Sequence, residues 1–196
     1  MKTVNSRTTK YEINDLFLKR SSSLAMSGEA VSRDEVLTLL EAGRWAPSAF
    51  NAQPWRFIYA LKGTTDFDLF LSFIKESNQV WCKRAGALIV LFSKKTMNDK
   101  PNPLNIFDAG SAWENIALQG AGMNLVIHGM AGYDKGILRK ELNIGDDYEI
   151  DLMIAVGRKG KIEDLPEGLR QRENPNSRNE LETMVFEGKE GLKNLK

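Results

Sequence analysis

Apolar positions along the chain recur with two periods, and each period marks out elements. In YEINDLFLKR, residues 11 to 20, Ile13, Leu16 and Phe17 fall at helical spacing, and a basic pair then leads into SSS. That pattern predicts a docked helix opening into a polar loop. SRDEVLTLLEAGRWAP offers Ser32 as N-cap with Glu35 three residues on, a capping box ahead of the stripe Val36, Leu39 and Leu40, and Pro47 ends the helix. WRFIYAL, residues 55 to 61, alternates like a strand with one wet face, whereas GALIVLFS, residues 86 to 93, is the unbroken apolar run of a strand covered on both faces. DFDLFLSFIKESNQVWCKR between them predicts helix. From Asn105 to Met123 small residues collect on one face around Trp113 and Ile116, predicting a long helix in close contact with a neighbour. DKGILRKEL predicts a short helix capped by Asp134, and EIDLMIAVGRKG a strand carrying Ile150, Leu152, Ile154 and Val156. After Gly160 the chain turns polar, with Pro166 and Pro175, yet keeps Leu165, Leu169, Leu181, Met184, Val185 and Phe186. LETMVFEG there reads as a short strand or extended arm with nothing of its own chain to pair with, available to another subunit.

A chain of 196 residues that is 42% hydrophobic can bury one substantial core, so a single domain over 1–196 is expected. Lys and Arg number 27 against 26 for Asp and Glu, and a net charge near +1 gives no field that calls for nucleic acid or an acidic membrane surface. Apolar runs fall short of a membrane span, and MKTVNSRTTK lacks the apolar region of a secretory signal, so the expected location is cytoplasmic. Cys82 and His128 are each the sole residue of their type, which removes an internal disulfide and a zinc cluster from consideration. A serine triad would have to use His128 as its base, and no G-x-S-x-G elbow precedes a helix. Structural use is therefore expected for His128, and Cys82 is expected to be a small half-buried residue.

Four stretches carry more polar or glycine chemistry than a connector needs. GAGMNL, residues 120 to 125, has the look of a dinucleotide fingerprint, but its glycines close a helix instead of following a strand. Gly120 and Gly122 are read as close packing and a helix stop. KRSSS, residues 19 to 23, sets a guanidinium beside three hydroxyls and loop N–H groups, a donor set for one phosphate or else a solvated helix end. APSAFNAQPW stiffens a turn with two prolines and presents Ser48, Asn51 and Gln53 to the edge of a polar ring. IHGMAGYD supplies Gly129 and Gly132, where backbone amides can approach a flat ligand.

Taken in order, the last three of these stretches resemble the nitroreductase family of FMN-dependent oxidoreductases, most closely its short single-domain members. The train runs Arg20, Ser21 and Ser22; A-P-S-x-x-N-x-Q-P-W at 46 to 55; N-x-x-W-x-x-x-A at 78 to 85; H-G-M-A-G-Y-D at 128 to 134; Val156-Gly157; and Ser177-Arg178. The resemblance implies an α+β fold with a mixed central sheet flanked by helices. It implies an intertwined homodimer with C-terminal arm exchange, in which residues 161–196 wrap the partner. It further implies that Arg20, Ser21, Ser22 and Arg178 meet the FMN phosphate, that Pro47, Ser48 and Asn51 line the flavin from the partner subunit, and that Asn78 meets the pyrimidine edge. The Met130, Ala131 and Gly132 backbone would pass the flavin N5, with the Ala131 N–H as donor. Family members often carry a second basic residue where this chain has Ser23, Leu24 and Ala25, so the N-terminal half of the phosphate site is expected to be short of positive charge.

The activity implied is hydride transfer from NADH or NADPH through FMN to an electron-poor small-molecule acceptor by a ping-pong mechanism, with no catalytic side chain assigned. Specialised flavin chemistry within the family is a second reading. A flavin-binding protein without turnover, supported by the missing basic residue, is a third.

Overall fold

The unbroken apolar run near residue 90 becomes the middle of the protein. The structure is a computed structural model that describes residues 2–4, 6–174 and 176–194, leaving Pro175 of the tail outside the described residues. A hairpin of β1 (Lys2–Val4) and β2 (Arg7–Thr9) is followed by α1 (Asp15–Lys19), α2 (Arg33–Arg44), β3 (Trp55–Leu61), α3 (Thr65–Ser72) and α4 (Glu76–Cys82). Then come β4 (Ala87–Lys94), the ribbon of β5 (Thr96–Met97) and β6 (Lys100–Pro101), α5 (Asn105–Gly122), β7 (Leu125–Met130), α6 (Lys135–Glu141) and β8 (Tyr148–Arg158). Single turns of helix make up what order the tail has.

The four long strands form one sheet in the order β3, β4, β8, β7, and each pairing is antiparallel. The expected mixed sheet is thus an antiparallel one among the described residues. β4 alternates between two cores: Leu88 and Val90 face Phe67, Phe70, Trp81 and Leu138, while Ile89 and Leu91 face Val36, Leu39, Ala112 and Ile116. Helices α3, α4 and α6 therefore cover one face and α2 and α5 the other, which is why β4 shows no polar alternation.

Local chemistry sets several boundaries. Ser32 Oγ accepts from the Glu35 N–H at 3.1 Å while Glu35 Oε2 accepts from the Ser32 N–H at 2.8 Å, so the capping box forms in full. That helix ends at Arg44, ahead of Pro47. Asp134 caps α6 through the Ile137 N–H at 2.9 Å. The helix expected across residues 66–84 is broken at Phe73, Ile74 and Lys75. There the backbone is taken up by the loop after β7: the Lys75 N–H donates to Gly132 O at 2.9 Å, and the Asp134 N–H to Phe73 O at 2.8 Å. Periodicity along the chain cannot report such a contact. β7 itself was not foreseen, because His128 and Gly129 interrupt its apolar pattern.

The arm is also different from expectation. LETMVFEG forms no strand: Leu181–Thr183 is a 3₁₀ turn, and Met184 and Val185 stay exposed. A strand needs an edge to pair with, and none reaches this segment among the described residues. It does have a partner in its own chain, since Lys10 Nζ meets Glu182 Oε1 at 2.7 Å, and Arg7 binds Asn176 just ahead of it.

Gly120 is a packing residue, as expected, whereas the stop after Gly122 is made by Met123 and by Asn124 at φ 57°. A Cβ on Gly120 would lie 2.2 Å from Ile127 Cγ1 and 2.6 Å from its Cδ1, so α5 rests directly on β7. Gly120→Ala is expected to destabilise the protein by about 1–3 kcal/mol despite alanine's better helix propensity, because Ile127 is buried and must move. Denaturant unfolding with an unchanged m-value checks this.

Candidate functional site: a cationic cavity and the loops beside it

Three segments distant in sequence close round a cavity of about 180 Å³: Arg7, the run Arg20 to Ser23, and the stretch from Lys159 through Arg172, Glu173, Asn174 and Asn176 to Arg178. Of the expected phosphate residues it gathers Arg20, Ser21, Ser22 and Arg178. It also gathers Arg7, Lys159 and Arg172, which the sequence reading missed. The expected shortage of positive charge is therefore corrected: five basic side chains and one carboxylate line the space. No single stretch of sequence signals this, since the added cations come from a hairpin, the end of β8 and the tail.

Arg7 acts as a staple between the ends of the chain. Its Nη1 donates to Arg20 O at 2.5 Å and Leu18 O at 3.1 Å, while Nε and Nη2 donate to Asn176 O at 3.2 Å and Asn176 Oδ1 at 2.9 Å. Burial, with Arg20 and Arg178 nearby, holds its pKa below the usual arginine value. Arg20 Nη1 donates to Ser22 Oγ at 3.3 Å. The positive groups are thus close enough to feel one another, a condition that an anion relieves.

Glu173 already supplies one negative charge. Its side chain is 1% exposed and accepts from Ser23 Oγ at 2.6 Å, the Ala25 N–H at 3.1 Å, Lys159 Nζ at 2.8 Å and the Leu24 N–H. Burial disfavours the ionised form, but Lys159, Ser23 and the Leu24 N–H outweigh it and hold the carboxyl below the ordinary glutamate range. The loop after Arg20 is fixed by a carboxylate from the tail.

A second group of residues lies where α4 meets the loop after β7. A Cβ on Gly132 would fall 2.3 Å from Asn78 Nδ2, so the absence of a side chain there lets the peptide pass against Asn78 without displacing its amide. Trp81 Nε1 donates to Asn78 Oδ1 at 3.3 Å and orients that amide. Ala131 is exposed, and its N–H has no acceptor among the described residues. The Met130 side chain is buried, with its sulfur 3.6 Å from Cys82 Sγ, so the expectation for this residue concerns its backbone alone. Gly129 likewise serves packing, because a Cβ there would meet Leu152 at 2.8 Å and Trp113 at 3.0 Å.

Pro47, Ser48 and Asn51 sit on the α2–β3 loop and do not join the cationic cavity. The loop holds Phe50, Asn51 and Gln53 at φ of 52°, 56° and 45°, a left-handed run that costs free energy for residues other than glycine. Two contacts hold it there: buried Asp108 of α5 accepts from the Ala49 N–H at 3.2 Å, and Ser48 Oγ accepts from the Gln53 N–H at 3.0 Å. Sequence reading passed over Asp108, which looked like an ordinary acidic residue in the first turn of a helix.

Beside Gly132 the core contains polar atoms without partners. The Tyr133 hydroxyl and both Asp151 carboxylate oxygens are buried and make no well-formed hydrogen bond among the described residues, although the Ser93 hydroxyl lies near Asp151, which sits at the β-bulge between β4 and β8. Burial first, then Glu149, pushes the Asp151 carboxyl up to about 6, with Ser93 and Lys135 pulling the other way. Its folded pKa lies above the unfolded value of about 4, so the stability it contributes is full below pH 4 and is lost as pH rises through about 6. Asp151→Asn should therefore raise stability at pH 7.5 by roughly 1–3 kcal/mol and change little at pH 4, as thermal unfolding at the two pH values will read.

The model of the Nitroreductase family matches residues 18–65, the span that contains Arg20 to Ser22 and the α2–β3 loop. A crystal structure of an oxidoreductase containing FMN is 37% identical with a TM-score of 0.93, covering 96% of this chain and 98% of that one. A candidate nitroreductase from Desulfovibrio desulfuricans, solved with FMN, is 23% identical at a TM-score of 0.72 over 90% of this chain and 98% of its own. A candidate NADH oxidase from Clostridium acetobutylicum is 28% identical at 0.64, over 75% and 89%. No curated protein matches the chain in sequence. The likeness to the first structure, at that identity and over nearly the whole length, settles the class: the chain belongs to the nitroreductase family of oxidoreductases that contain FMN.

Proposed function

We propose that the protein is an FMN-dependent oxidoreductase that takes hydride from NADH or NADPH and delivers it to an electron-poor small molecule, such as a quinone or nitroaromatic, in two alternating half-reactions. One observation carries the reading: a small cationic cavity suited to a single phosphate occurs in the same chain as a glycine-floored peptide set against Asn78. The donor set fits FMN, because the cavity offers guanidinium and hydroxyl donors to one phosphate.

Bound FMN supplies the redox chemistry, accepting hydride at N5 and passing it on. The chain binds and orients. Arg20, Ser21, Ser22 and Arg178 hold the phosphate, with Arg7, Lys159 and Arg172 adding to the field around it. Asn78 would meet the pyrimidine edge, and the Ala131 N–H, between Met130 and Gly132, would be the donor to N5. Pro47, Ser48 and Asn51 line the flavin of the partner's site. No side chain is assigned as acid or base: burial lowers the pKa of His128, and burial pushes the Cys82 thiol up, away from reactivity.

The proposed assembly is a homodimer of single-domain subunits in which residues 161–196 wrap the partner. Its support is the exposure of Phe50, Phe107 and Trp45 at 91%, 73% and 73%, with Met184 and Val185 of the tail, more large apolar surface than solvent favours. No helix among the described residues is long and apolar enough to cross a membrane, and the cytoplasm is the proposed location. A flavin binder without turnover loses its support, because the cations missing from the N-terminal motif are supplied from elsewhere.

Heating the purified protein should release FMN and not FAD. NADH or NADPH without oxygen should bleach it, and double-reciprocal plots with a quinone should run parallel; intersecting lines would mean that donor and acceptor bind together. Arg178→Ala should weaken FMN binding about tenfold while the protein stays dimeric, the loss being held to one decade by Arg7 and Arg172. Truncation after Arg178 should loosen the dimer in sedimentation, and a truncated protein that remains a full dimer would remove the role given to the arm.

A further inference from the structure

His128, the sole histidine, lies on β7 under the phosphate loop and takes no part in the chemistry above. Its Nδ1 is 3.1 Å from both Ser22 O and Ser23 O. Carbonyl oxygens only accept, so Nδ1 carries the proton and its N–H is forked between them. The far side of the ring rests on Trp81, with centroids 4.6 Å apart and planes tilted by 50°, and Trp81 is buried. The imidazole is therefore fixed in position as well as in tautomer.

In a trans peptide the C=O of one residue and the N–H of the next point to opposite sides. Drawing the Ser23 carbonyl onto His128 turns the Leu24 N–H away from it, and that N–H donates to Glu173. By the same geometry, drawing the Ser22 carbonyl onto His128 turns the Ser23 N–H to the side away from the imidazole. That N–H meets no protein acceptor among the described residues, and Ser22 and Ser23 both line the cationic cavity.

We propose that His128 is a positioning residue for phosphate binding: its Nδ1–H holds two consecutive carbonyls so that the Ser23 N–H is presented to the flavin phosphate. The proposal rests on the FMN reading above. Burial lowers the pKa of the ring, with Arg172 adding to the effect, while the Ser23 and Ser22 carbonyls and Glu173 oppose it. The neutral ring with Nδ1 protonated is the form that does the work near neutral pH.

Two measurements test this. Because the chain has one histidine, ¹⁵N NMR of uniformly labelled protein reads a single imidazole. Protonated Nδ1 and bare Nε2 near neutral pH are expected in the flavin-free protein, and the opposite tautomer would overturn the proposal. In the second measurement, FMN dissociation constants are obtained by flavin fluorescence for the wild type, His128→Asn and His128→Gln. The asparagine amide nitrogen takes the place of Nδ1, whereas that of glutamine takes the place of Nε2. Asn should bind FMN within about twofold of the wild type, and Gln about tenfold more weakly, the equivalent of one lost hydrogen bond. Equal affinities, or equal losses, in the two variants would mean that the ring is only a packing group. A wild-type protein that does not bind FMN would instead remove the reading on which the inference stands, so the two failures are distinct.

Discussion

The contact between Glu173 and the loop after Arg20 joins residues 150 positions apart, and the cationic cavity depends on it. Gathering Arg7, Arg20, Lys159, Arg172 and Arg178 round a small space is unfavourable unless negative charge is present. An internal carboxylate offsets part of that repulsion and at the same time satisfies backbone donors of the loop. Because Glu173 comes from the tail, the cavity is complete only after β8 has joined the sheet and the chain has returned past the N-terminal hairpin. Arg7 reinforces the closure from the other side by binding both Arg20 and Asn176.

The sheet supplies the frame for this closure. β4 divides two cores, and the cavity, the Asn78 contact and the strained α2–β3 loop are each held by elements that pack on one of those cores. His128 and Trp81 connect the first two, since Trp81 orients Asn78 while its ring supports the imidazole that holds Ser22 and Ser23. The loop of Ser22 and Ser23 and the Asn78 amide thus share a support within a single chain.

Much of this was legible in the sequence, and the misses have physical causes. β3 and the capping box on Ser32 were readable because their signals are local: alternation in one case, an N-cap and its reciprocal partner in the other. The break between α3 and α4 was not, because it exists to pair with the loop after β7. β7 was hidden by a histidine and a glycine whose roles, bonding to the phosphate loop and close packing on Leu152 and Trp113, are tertiary. The sheet's antiparallel order and the absence of a strand in LETMVFEG likewise depend on which edges come together. At the site, the motif around Arg20 was visible but its charge was misjudged, since Arg7, Lys159 and Arg172 become neighbours of Arg20 only through the fold.

The α2–β3 loop shows how the protein manages conformational freedom at the surface for which a flavin contact is proposed. Three residues other than glycine sit in the left-handed region, and Asp108 together with Ser48 keeps them there before any ligand arrives. The ordering cost of that wall is met during folding, where the whole core shares it, and not at the moment of encounter. A molecule binding there, as proposed for the flavin, would meet a surface with little disorder left to lose, and its association would carry a smaller entropic penalty than a floppy loop of the same composition would impose.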